Sequence, residues 1–93
     1  MELIPLWEIH QKAGWPIGLG HHEGELMTLD TVISGCVRYY FSEKGLDPQR
    51  VKILESCKND LELLLPYLEG EARNYFDRLQ ALAYLLLNTT QNG

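Results

Sequence analysis

Two imidazoles and two carboxylates crowd one short stretch of the chain, Gly18-Leu19-Gly20-His21-His22-Glu23-Gly24-Glu25, and these are side chains that hold divalent metal. His21 and Glu25 stand four apart, so a helix that began early would bring them to one face, with His22 or His10 as a third ligand. On that reading the chain is a metal-binding protein or a small metal-dependent enzyme. No known ligand spacing is completed, and the competing reading is a polar, glycine-rich loop whose carboxylates favour the positive end of the following helix. Nor do its glycines make a phosphate cradle, since no strand precedes them and the Gly-Lys-Ser/Thr ending is missing.

The other reactive side chains offer less. Cys36 and Cys57 lack CxxC spacing and fall on apolar helical faces, which predicts core thiols rather than nucleophiles or zinc ligands. Asp60 and Glu62, like Glu69 and Glu71, are two apart and diverge on a helix, so neither pair makes an acid and base couple. No regular carboxylate array on facing helices is present. The pattern leans away from an enzyme, and no cofactor is expected.

Charge removes further classes. Eight Lys and Arg against thirteen Asp and Glu give a net charge of −5, which opposes a grip on nucleic acid or on an anionic membrane. The most apolar stretch, Leu79 to Leu87, is interrupted by Gln80 and falls short of the roughly 20 residues of a spanning helix. The first residues lack a basic region followed by an apolar run, so a secretory signal is not expected and the cytoplasm is the expected compartment.

Helical periodicity runs through most of the sequence. The expected fold is all-α, a small up-and-down bundle of three long helices and a short N-terminal one, forming a single domain over residues 1–93. Residues 1–24 hold the short helix, from Pro5 to Ala13 with Leu6, Ile9 and Ala13 inward and Trp7 partly covered, and then a loop whose Trp15 and Ile17 cap the bundle. The three-helix core occupies residues 25–88. Its first helix runs from Glu25 to Lys44 and stops at Gly45, with Gly35 and Ser34 admitting a close neighbour. The second starts at Asp47-Pro48, carries Val51, Leu54, Cys57, Leu61, Leu64 and Leu68 on one face, and breaks near Leu65 because of Pro66. The third runs from Glu69 to Asn88 over Ala72, Tyr75, Phe76, Leu79, Leu82, Ala83 and Leu86, and residues 89–93 form a frayed tail.

Two excesses remain after these assignments. From Glu55 to Glu71 there are five carboxylates and one lysine, whereas Arg38, Lys44, Arg50 and Lys52 gather around the preceding turn. Ile53, Leu63, Leu65, Tyr84, Leu85 and Leu87 lie off the main apolar stripes, more than a chain this short readily covers. These features predict a small acidic helical protein acting by protein–protein binding, as adaptor, regulator or inhibitor of a partner with basic character. Glu62, Tyr67, Glu69 and Glu71 are the expected rim, with Leu63 or Leu87 in apolar contact. A self-assembling structural subunit, a homo-oligomer, is the third expectation.

Overall fold

The start and stop signals of the chain produce four α-helices, α1 (Leu3–Lys12), α2 (Glu23–Glu43), α3 (Pro48–Leu64) and α4 (Gly70–Gln91), with short 3-10 turns at Gly20–His22 and Leu65–Tyr67. The structure is a computed structural model and describes residues 2–91; among these there is no strand. The all-α expectation holds. No helix of the described residues is long and apolar enough to cross a membrane.

Local chemistry explains most of the boundaries. Asp47 caps α3 by accepting the Arg50 backbone amide at 2.8 Å, with Pro48 in the first turn where an N–H has no helical partner. That amide, and then the Arg50 guanidinium, hold the Asp47 carboxyl below its ordinary range. The cap therefore contributes above the usual carboxylate pKa and is lost as pH falls through the lowered folded value. At the other end of α3, Pro66 forces the chain into the 3-10 turn, and Gly70 opens α4 with φ +59, a left-handed backbone that side chains other than glycine adopt at a cost.

Three helices differ from expectation at their ends. α2 begins at Glu23 and ends at Glu43, and Lys44 rather than Gly45 takes the left-handed position, with φ 60. α1 starts at Leu3, which places Pro5 inside the first turn, where its missing N–H has no helical partner to lose. α4 continues to Gln91, and within its last turns the Thr89 hydroxyl donates to the Leu85 carbonyl at 2.9 Å. The frayed tail expected from residue 89 is thus helical to residue 91, and the rest of it lies outside the described residues.

α4 is the common partner: α1, α2 and α3 all pack on it, and α2 also packs on α3. Its predicted inner stripe is buried throughout, with Phe76, Leu79, Leu82, Ala83 and Leu86 fully enclosed. Facing them are Leu26, Ile33 and Val37 of α2 and Leu54 and Leu61 of α3, all likewise enclosed. Leu65 and Leu87, read from sequence as surplus apolar positions, belong to this core.

The N-terminal quarter packs differently from its predicted pattern. α1 buries Leu6, Trp7 and His10 and leaves Ile9 exposed, a rotation set by the polar partners that His10 finds below it. Trp15 does cap the bundle, edge-on to Tyr75 at 5.6 Å and Phe76 at 5.8 Å, and donates its indole N–H to Glu23. Ile17 instead stands in solvent, and Pro16 and Leu19 take the buried places. Gly35 admits no close neighbour, because a side chain there would meet open space.

Candidate functional site

α2 and α3 are joined by residues 44–47 alone, so they run antiparallel, and the start of α2 lies beside the end of α3. There the two helices leave a groove of about 480 Å³, lined by Glu25, Thr28 and Leu29 from α2 and Asp60, Leu63 and Leu64 from α3. Each helix contributes a carboxylate at one position and side chains three and four residues later, the spacing that puts all three on one face. One carboxylate therefore stands on each wall of an apolar floor, with no basic residue in the lining.

Two of the most exposed apolar side chains among the described residues lie at this end of the molecule. Leu63 is 73% exposed and Tyr67, in the turn that follows α3, is 70% exposed. The Tyr67 ring packs against His22 at 5.0 Å between centroids, and His22 packs against His21 at 4.6 Å, so the turn before α2 meets the turn after α3. His22 Nδ1 is buried there without a hydrogen-bond partner. Residues that the sequence assigned to rival functions, His21, His22 and Glu25 for metal and Leu63 and Tyr67 for a protein partner, are thereby brought to one end of the molecule.

The remaining predicted residues disperse. Glu71 lines a separate cavity with Ala13, Gly14, Pro16 and Arg78, near the end of α1. Leu87 sits in the seam between α3 and α4, only 7% exposed, and is a core residue rather than a surface contact. Glu62 and Glu69 are exposed, and neither lines the groove. Of the residues expected to meet a protein partner, Leu63 alone lines the groove, and Glu25 and Asp60 are its carboxylates.

His10 is unavailable as a third metal ligand. Arg78 Nε, which can only donate, points at His10 Nδ1 at 3.3 Å, so the ring proton resides on Nε2 and is donated to Asp30 at 3.1 Å. Asp30 also accepts from the Tyr75 hydroxyl at 3.1 Å and faces Ser34 Oγ at 3.5 Å. The serine hydroxyl is turned to the carboxylate and not to the imidazole, so this is no nucleophile and base couple. It is a polar lock that fixes α1 to α2 and α4. Among the described residues no group of three or more His, Cys, Asp or Glu side chains is gathered to hold a metal ion.

The lock has a pH signature. Burial first, and then the adjacent Asp30 carboxylate, push the Tyr75 phenol far above its ordinary value. The unfolded phenol ionises near pH ~10 while the folded one keeps its proton, so this contribution is full below pH ~10 and is lost as pH rises beyond it. Tyr75→Phe is expected to flatten the fall of stability above pH ~10, measured by urea titration at several alkaline pH values. Equal slopes in both proteins would show that the phenol does not carry the effect.

Sequence reasoning missed this lock, although a signal was present: His10 follows buried Leu6 by four residues, and Asp30 follows Leu26 by four, each a polar residue on an inward stripe. Both cysteines are free thiols, Cys36 buried and Cys57 half-buried, and burial pushes both thiols up. That is the direction expected of unreactive side chains. No family model matches the sequence, and neither the curated proteins nor the solved structures contain a match to it.

Proposed function

We propose that this protein works by binding another protein through the groove between α2 and α3, without catalysis of its own. One observation carries the proposal: Leu63, 73% exposed, stands at the lip of a groove of about 480 Å³ with a leucine floor and a carboxylate on each wall, and Tyr67, 70% exposed, lies in the turn that follows α3. Isolated exposed leucines are common on protein surfaces, whereas an exposed leucine over an apolar concavity offers a pocket and an anchor together. Such a surface suits an adaptor, regulator or inhibitor. Other clefts, lined by the His10 lock, by Glu71 and Arg78, and by Tyr84 and Leu87, are smaller, at about 220 to 270 Å³.

The test is a pair of surface substitutions. Leu63→Asp is expected to weaken binding of the physiological partner at least ~10-fold, equivalent to about 1.4 kcal/mol, while helix content and thermal midpoint stay near wild type. Tyr84→Ser, on the exposed part of α4, is expected to leave binding unchanged. Wild-type affinity in Leu63→Asp would remove the groove from the function.

A further inference from the structure

We infer that the occupant of the α2–α3 groove is an amphipathic helix, with leucine-sized side chains on its buried face and a lysine or arginine on each flank. The inference rests on the groove being a docking site and adds the chemistry of what docks. Its first support is shape. The groove is the furrow between two antiparallel helices, and a third helix laid there would repeat the packing by which helices settle side by side, with axes about 8 to 10 Å apart. The floor of Leu29 and Leu64, with Leu63 at the lip, takes aliphatic side chains spaced three and four apart.

Its second support is charge. The lining holds two carboxylates and no cation. Glu25 and Asp60 lie on opposite walls, one on each helix. An occupant with one cation on each flank would meet both. The α1 helix of a second copy is a poor match: its exposed apolar residues, Ile4 and Ile9, stand among Glu2 and Glu8, and the whole chain carries −5. Docking α1 of a copy would set carboxylate against carboxylate.

The probe is an amphipathic peptide of leucine and lysine about 18 residues long, enough to hold a helix in water. Two controls accompany it, one with glutamate replacing lysine and one with serine replacing leucine. Backbone amide shifts of the full chain are followed during each titration at low and high salt. The leucine and lysine peptide is expected to shift residues 25–29 and 60–67 saturably, to bind at least ~10-fold more tightly than either control, and to weaken as salt rises. Asp60→Lys is expected to narrow its preference over the glutamate peptide by at least ~10-fold, with the circular dichroism spectrum unchanged.

Equal binding of the lysine and glutamate peptides in the groove would overturn the basic character of the occupant and leave groove docking intact. Equal binding of the serine control would overturn the amphipathic requirement. Shifts on neither wall with any peptide would overturn this inference, and the Leu63→Asp result with the physiological partner judges the docking site separately. Sedimentation showing a wild-type dimer that Leu63→Asp dissociates would also overturn it, by assigning the groove to a second copy.

Discussion

Phe76→Ala is expected to lower the free energy of unfolding by about 3 to 5 kcal/mol, the usual cost of emptying a fully enclosed phenylalanine site. The ring is completely buried on α4, the helix on which the other three pack, and it sits edge-on to Tyr75 at 4.9 Å and Trp15 at 5.8 Å. Removing it takes a wall from the cap that Trp15 forms over this end of the bundle. A domain of this size has only about 5 to 15 kcal/mol in total, so the loss is a large share of it. Urea titration followed by tryptophan fluorescence measures the change. A loss below about 1 kcal/mol would mean that the site collapses around the missing ring and that Phe76 is not the centre of the packing.

Asp30→Ala is expected to cost about 2 to 4 kcal/mol, for a different reason. The alanine leaves the His10 Nε2–H and the Tyr75 hydroxyl without their acceptor, and turns Ser34 to an empty space. The His10 side chain is only 4% exposed, so water does little to replace the lost partner there, whereas Asp30 at 19% lies near enough to solvent to keep the figure in the lower part of the range for buried pairs. Asp30→Asn, which retains one acceptor oxygen, should fall between alanine and wild type. A double-mutant cycle with His10→Ala should show coupling of about 0.5 to 3 kcal/mol. Additive single effects would mean that the two side chains do not hold α1 together.

Periodicity made most of the fold legible, because a helix repeats its inward face every three or four residues and the chain repeats its leucines likewise. Ala72 to Leu86 is the clearest instance, every predicted inward residue being buried. Asp47-Pro48 and Pro66 were equally readable, since each acts through its own backbone neighbours. The loop at residues 13–19 was not, for lack of a period to say that Leu19 rather than Ile17 turns inward. The polar lock escaped because its members, at positions 10, 30, 34, 75 and 78, are joined only by tertiary packing. The groove lay in between: its acid-then-apolar spacing is visible in each helix, and the facing of one set on the other depends on the antiparallel turn. Leu87 was misplaced because α4 buries a stripe wide enough to include it.

The seating of α1 on α4 also orders the assembly of the chain during synthesis. α2 and α3 are separated by a few residues, so they close a short loop and begin to bury leucines as soon as both have emerged. α1 meets α2 through the His10–Asp30 bond and packs mainly on α4, whose residues the ribosome supplies only after the α2–α3 hairpin is complete. Until then Leu6 and Trp7 are open to water and to any chaperone that binds apolar segments. The helix made first completes its packing only once the last one is made.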